Sequence, residues 1–256
     1  MSVIADRTPE ADRRPVAPAD DPLASSSADP LPAPALDTAS RELLRAKGLD
    51  LDVPLDVVGK LLARCHLFQQ VVTLPGEIVE AGVYRGAGMF LWANLLELLA
   101  PGSRRRVIGF DTFEGFPEDL SRDHDRASIE RIARDSGAYV PRSATEVEAT
   151  AERLGIGHRV QTVAGDAVET IPAYVAAHPG FRVALLHLDF DVYEPTRVAL
   201  EELYPLVVPG GIVVFDQYGS AQWGETEAVD EFVQPRGLKL QRLPWGTGPK
   251  AFLVKP

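Results

Sequence analysis

From Glu77 onward the chain repeats one pattern: a short, almost wholly apolar run, then a longer stretch with apolar residues three and four apart. The short runs are Glu77 to Gly82, Arg106 to Asp111, Val160 to Ala164, Val183 to Asp189 and Gly211 to Asp216. They are strand-length and rich in Val and Ile, so they read as strands. Ala87 to Leu99, about Pro195 to Leu206, and Glu225 to Phe232 read as helices, with Pro195 in the first helical position. Strands apolar on both faces, separated by helices, predict a parallel sheet covered on both sides. Two last runs, Leu238 to Leu243 and Ala251 to Val254, are separated only by Pro244 to Lys250. That gap is too short for a crossover helix, so an antiparallel hairpin is expected. The expected fold is α/β: a Rossmann-like, mostly parallel seven-stranded sheet with helices on both faces and that hairpin at its end.

Three segments fall outside the pattern. Residues 1–36 are rich in Pro, Ala, Asp and Ser and hold no aromatic residue, the composition of a disordered or docking arm. From Thr38 to Val72 the pattern is helical, with Leu61, Leu62, Cys65, Phe68, Val71 and Val72 forming an apolar stripe. Residues 37–76 are therefore expected to be a helical cap on a domain spanning 77–256. Residues 117–158 interrupt the strand–helix rhythm with a charged stretch, Glu118 to Arg126, and a helical one, Ala144 to Leu154. Insertions of this length are often lids or binding loops.

Composition narrows the choices. A single cysteine, Cys65, rules out a disulfide framework or a thiolate zinc site within the chain. The net charge of -11 opposes binding to nucleic acid or to anionic membrane surfaces. No stretch is apolar enough for a secretory signal or a bilayer span, so a cytoplasmic protein is expected.

The candidate chemistry lies at the strand ends, where open α/β sheets bind ligands. Glu80-Ala81-Gly82-Val83-Tyr84-Arg85-Gly86-Ala87-Gly88 follows the first strand and opens a helix. Its glycines are spaced G-x-x-x-G-x-G, unlike the G-x-G-x-x-G of dinucleotide folds. S-adenosylmethionine (AdoMet) suits this loop better than a pyrophosphate, with Glu80, Gly82, Tyr84, Arg85 and Gly86 as candidate contacts. Asp111, followed by Thr112, ends the second strand, placed to bind ribose hydroxyls or to form a turn. Gly165 and Asp166 end the third, placed to reach the adenine or to cap the next helix. His187, Asp189 and Asp191 alternate along the fourth strand, and Asp216 and Gln217 end the fifth. With Glu194-Pro195-Thr196 already starting the next helix, Asp189 and Asp191 have no obvious capping duty. Carboxylate and amide oxygens without thiolates suit a hard ion such as Mg²⁺.

Four segments carry a resemblance: Glu80 to Gly88, Phe110 to Pro117, Leu188-Asp189-Phe190-Asp191-Val192-Tyr193-Glu194-Pro195-Thr196, and Pro209-Gly210-Gly211 running to Gly219. From about residue 40 to the C-terminus the chain resembles the macrocin O-methyltransferase family. That resemblance implies a class I methyltransferase fold and AdoMet-dependent, Mg²⁺-assisted O-methylation of a deoxysugar in secondary-metabolite biosynthesis. The acceptor would be nucleotide-linked or part of a glycosylated natural product. Independently of the resemblance, the apolar helix before the first strand and the N-terminal arm suggest a homo-oligomer. It makes Asp189 and Asp216 metal ligands, Asp191 the general base, and Asp189 a cofactor contact as well. Gln217 stands where the family has a second acid; its amide oxygen can coordinate, with one negative charge fewer. Three other readings remain: a catechol-type methyltransferase, an AdoMet-binding scaffold without catalysis, and a nicotinamide oxidoreductase, which the glycine spacing opposes.

Overall fold

The computed structural model describes residues 54–117, 120–135, 140–244 and 248–256. The expected arm at 1–36 and the start of the cap at 37–53 lie outside them. Helix α1 spans Leu55–Val71, strand β1 Glu77–Ala81, α2 Ala87–Leu99 and β2 Val107–Asp111. Helices α3, Asp123–Asp135, and α4, Ala144–Arg153, follow. Then come β3 Val160–Ala164, α5 Ala167–Ala177, β4 Val183–Leu188, α6 Tyr193–Leu203, β5 Val207–Phe215, α7 Glu225–Val233 and β6 Ala251–Val254. The sheet order is β3-β2-β1-β4-β5-β6, parallel except for β6, which runs antiparallel to β5.

Each strand feeds two cores because successive side chains point to opposite faces. Val79, Ala81, Ile108, Phe110, Leu186 and Leu188 pack with Ile171 of α5, Leu200 of α6 and Val229 of α7. Ile78, Val107, Leu185 and Val214 face the other way, toward Phe68 of α1, Trp92 of α2 and Val147 of α4. β4 is buried along its whole length. The apolar runs in the sequence are thus strands with helices on both faces. The strand order reverses between β1 and β4, so their carboxyl ends open a crevice.

The α/β class holds, with six strands among the described residues in place of seven. Leu238 to Leu243 pairs with β6 only through the bridge Gln241–Phe252. Leu238 gives its N–H to the Val233 carbonyl, and Pro244 has no N–H to donate, so the ladder is not extended. Pro195 is the third residue of α6, not the first. The first-turn N–H of Tyr193 is instead taken by Asp125 Oδ2 at 2.8 Å.

α1 turns differently from the expected stripe. Ala63, Arg64, Leu67, Phe68 and Val71 form its buried face, while Leu61 and Leu62 are exposed. Arg105 closes its C-terminal end, donating to the carbonyls of Val71, Val72 and Leu74 at 3.1, 2.6 and 3.1 Å. This anchoring fixes the face that carries Lys60 and Arg64.

Candidate functional site

The loop after β1 is shaped first by the chain's own contacts. Gly82 has φ +100°, and a Cβ there would lie 2.1 Å from the Asp189 carbonyl oxygen. Only glycine lets β1 and β4 end this close together. A Cβ at Gly88 would overlap the Glu80 carboxylate. Glu80 is buried, accepts a hydrogen bond from the Trp92 indole N–H, and lies 3.2 Å from His187 Nδ1. Its carboxylate is therefore committed to the interior, although Glu80 also borders the cleft beside Tyr84 and Arg85.

Asp111 ties this loop down. Its Oδ2 accepts the N–H groups of Val83 and Tyr84 at 2.6 and 2.9 Å, and its Oδ1 that of Phe113 at 2.7 Å. Thr112 Oγ1 donates to the Gly115 carbonyl at 2.5 Å, bending the chain after β2. Gly165 gives its N–H to the Asp111 carbonyl at 3.0 Å. Asp166 caps α5, accepting from the Val168 N–H at 2.9 Å, so the capping alternative is realised.

Two clefts open at this end of the sheet. One is bordered by Thr112, Phe116, Asp166 and Phe190. The other is bordered by Lys60, Arg64, Tyr84, Arg85, Asp216 and Gln217. Gly82, Asp111, Asp189 and Asp191 belong to both. The strand-end residues singled out in the sequence thus border one or both clefts, except Gly86, Gly165 and His187.

The regular strand ends at Leu188, and Asp191 adopts a left-handed backbone, φ 65°, which Asp tolerates better than most residues. Its carbonyl accepts the Glu225 N–H at 3.0 Å, which holds the turn. Neither Asp189 nor Asp191 caps α6. Asp216 and Asp191 each bury an Oδ1 that has no hydrogen-bond partner. Burial, then the neighbouring charges of Asp189 and Asp216, push the Asp191 carboxyl well above its ordinary range. Burial and Asp216 bring Asp189 to about 7. Burial alone would raise Asp216 too, but His187, Lys60 and Arg64 hold it well below the usual carboxylate range.

Several of these partners are absent from the sequence reading. Lys60 Nζ lies 3.3 Å from Asp216 Oδ2, and Arg64 lies 3.6 Å from Asp189 and 3.9 Å from Asp216. The four-residue spacing of Lys60 and Arg64 was the available signal, since it places both on one helix face. Glu225, fully buried beside Asp191, accepts the Gln217 N–H at 2.8 Å and keeps its other oxygen unpartnered. Burial and Asp191 raise its pKa well above the normal value. Asp125, from the charged insertion, is 1% exposed and accepts the N–H groups of Tyr193 and Gly224 at 2.8 and 2.6 Å. Trp223 stacks on Phe116, with ring centroids 5.8 Å apart, which makes it a packing residue.

His187 is fully buried, 3.2 Å from Glu80 and 3.6 Å from Asp216. Burial opposes its charged form, yet the two carboxylates raise its pKa to about 9. Glu80, His187 and Asp189 offer ligand atoms within 4.8 Å of one another. Without a metal the buried His187 sits as an ion pair beside Glu80 and Asp216, and its imidazole would have to release a proton before it could act as a ligand. Asp189 and Asp216, with the Gln217 amide in the same cleft, are all hard oxygen donors. Together with Asp216 Oδ1, which accepts no hydrogen bond, they fit a hard divalent cation.

The parallel sheet with its antiparallel last strand and its strand-end clefts is a Rossmann-like methyltransferase fold. The chain matches the macrocin-O-methyltransferase (TylF) family over residues 27–243 and belongs to it. Over 147 residues it is 35% identical to an 8-demethyl-8-(2,3-dimethoxy-alpha-L-rhamnosyl)-tetracenomycin-C 4'-O-methyltransferase of Streptomyces olivaceus, covering 57% of this chain and 54% of the relative. Over 167 residues it is 29% identical to a mycinamicin III 3''-O-methyltransferase of Micromonospora griseorubida, covering 64% of this chain and 63% of the relative. The matches thus span less than two thirds of either relative. The calicheamicin methyltransferase CalS11 superposes with a TM-score of 0.65 at 30% identity, covering 85% of this chain and 91% of that one. A second, apo structure describes that protein as a TDP-rhamnose 3'-O-methyltransferase. Among the described residues no helix is long and apolar enough to cross a membrane.

Proposed function

We propose that this chain is an AdoMet-dependent, Mg²⁺-assisted O-methyltransferase acting on a deoxysugar hydroxyl in antibiotic biosynthesis. The sugar would be nucleotide-linked or carried on a glycosylated natural product. The observation that carries the reading is the wall shared by the two clefts: Gly82, Asp111, Asp189 and Asp191 border both. A donor in one cleft and an acceptor in the other would meet across that wall. The loops around Glu80, Gly82, Tyr84, Arg85, Gly86, Asp111, Thr112, Gly165 and Asp166 would hold AdoMet, with Asp189 between donor and acceptor.

AdoMet would supply the electrophilic methyl group. A divalent cation on Asp189, Asp216 and Gln217 would lower the pKa of an acceptor hydroxyl. Asp191, whose carboxylate borders both clefts, would receive the hydroxyl proton. Burial and like charges raise its pKa, and a base of raised pKa takes a proton more readily once ionised. Holding acceptor and donor aligned would supply much of the acceleration. The cleft that contains Asp216 and Gln217 is lined mainly by charged and polar side chains, Lys60 and Arg64 among them, with Tyr84 as its one aromatic, whereas Phe116 and Phe190 border the other cleft. That lining favours a sugar over the two aromatic walls a planar catechol would want.

The insertion 117–158 would act as a lid, supported by the way Asp125 grips Tyr193 and Gly224 beside the site. Exposed Leu55, Val57, Leu61 and Leu62 on α1 support a homo-oligomer. The acidic, single-cysteine composition supports a cytoplasmic enzyme acting on small molecules, with neither nucleic acid nor membrane as partner. The test is transfer of a labelled methyl from AdoMet to a panel of nucleotide-linked deoxysugars and glycosides, with and without EDTA. Transfer to a sugar that stops in EDTA is the expected result. Full activity in EDTA removes the cation from the account, and transfer only to catechols overturns the sugar.

A further inference from the structure

Lys60 and Arg64 both turn from α1 toward the carboxylates at the ends of β4 and β5, and they are placed differently. Arg64 is 11% exposed, lies between Asp189 and Asp216, and has its guanidinium 5.9 Å from the Trp92 ring centre. It is a fixed part of the wall. Lys60 is 43% exposed and reaches Asp216 Oδ2 on a four-carbon stem whose head can return to water. An ammonium is also the more compact and more strongly hydrated of the two cations.

Counting charge shows what this arrangement does. Asp189 and Asp216 bring two negative charges, Arg64 and Lys60 bring two positive charges within 4 Å of them, and the His187 charge 3.6 Å from Asp216 is offset by Glu80 at 3.2 Å. Gln217 adds none. With both side chains in place, this set has no net charge left to attract a divalent ion. An ion bound to Asp216 would also face the Lys60 ammonium across a largely buried site, where like charges repel strongly. Arg64 is held by burial, so Lys60 is the cation that can give way.

We propose that Lys60 is a displaceable counter-ion, competing with a divalent cation for Asp216. Without the metal, its ammonium occupies the place beside Asp216 Oδ2. The metal gains access to that carboxylate only as Lys60 swings out to solvent. The inference rests on the cation reading of the site given above. It adds that affinity for the ion is set by a side chain which is not itself a ligand.

The test is Mn²⁺ binding to the full-length chain, read from the free-ion electron paramagnetic resonance signal, which needs no turnover. Lys60→Met should bind Mn²⁺ about tenfold more tightly than the wild type or better, and Lys60→Arg, which keeps the charge, should stay near it. Equal affinity in the wild type and Lys60→Met overturns the competition and leaves the metal reading standing. No Mn²⁺ binding by either protein overturns both.

Discussion

The His187 imidazole of β4, fully buried, lies 3.2 Å from the Glu80 carboxylate of its neighbour strand β1, an ion pair between the two central strands. Its pKa of about 9 lies above the ordinary 6.5 of an unfolded imidazole. A group whose folded pKa is raised stabilises fully below its unfolded pKa, and that contribution fades as pH rises through the folded value. The metal-free chain should therefore lose stability between pH 6.5 and about 9. Urea denaturation at those two pH values checks this, and His187→Gln should reduce the difference, the remainder coming from Asp191 and Glu225, whose raised carboxyls also cost stability as pH rises. A wild-type midpoint that rises over the same range contradicts the assignment.

Asp111 prepares the cofactor cleft by accepting three backbone N–H groups. Asp111→Ala leaves those donors without their carboxylate, each at roughly 1–3 kcal/mol when buried. It also removes the proposed ribose contact. AdoMet affinity measured by calorimetry should fall by more than about tenfold. Unchanged affinity would place AdoMet elsewhere.

Gly82→Ala tests the closeness of the strand ends. A methyl group 2.1 Å from the Asp189 carbonyl must push β1 and β4 apart, and φ +100° strains any non-glycine residue there. The expected loss is about 3 kcal/mol of stability or more, with activity falling alongside. A variant as stable and active as the wild type would show that the two strand ends tolerate separation.

Asp125→Ala removes the carboxylate that holds the N–H groups of Tyr193 and Gly224. A destabilisation of about 2–5 kcal/mol is expected, read from urea titration. Limited proteolysis should cut the stretch around α3 faster than in the wild type. A protease pattern identical to the wild type would separate Asp125 from the docking of α3.

The fold was legible where burial is two-sided. β4 starts where its apolar run does, at Val183, and is buried along its whole length, because each of its apolar residues has a core to enter. Helix α3 was not legible: its sequence, DHDRASIERIARD, has little apolar periodicity. It is fastened by single polar contacts, Asp125 to two backbone N–H groups and Ser128 Oγ to the Gln222 carbonyl at 2.5 Å. The acids at the strand ends were legible because topology alone gathers them in the crevice. Lys60 was not, since its partner Asp216 is 156 residues away and only the packing angle of α1 brings them together. Glu225 read as an ordinary acid in the first turn of a helix, and the fold buries it beside Asp191.

The central claim, that Asp191 takes the acceptor proton across the wall shared by donor and acceptor clefts, is tested most directly by single-turnover methyl transfer in Asp191→Asn. The amide keeps the size of the side chain and removes the base. The rate should fall by about 10²- to 10⁴-fold, while AdoMet affinity measured on the same preparation stays within about twofold of the wild type. A near wild-type rate, or a loss of rate fully explained by lost AdoMet binding, would contradict it.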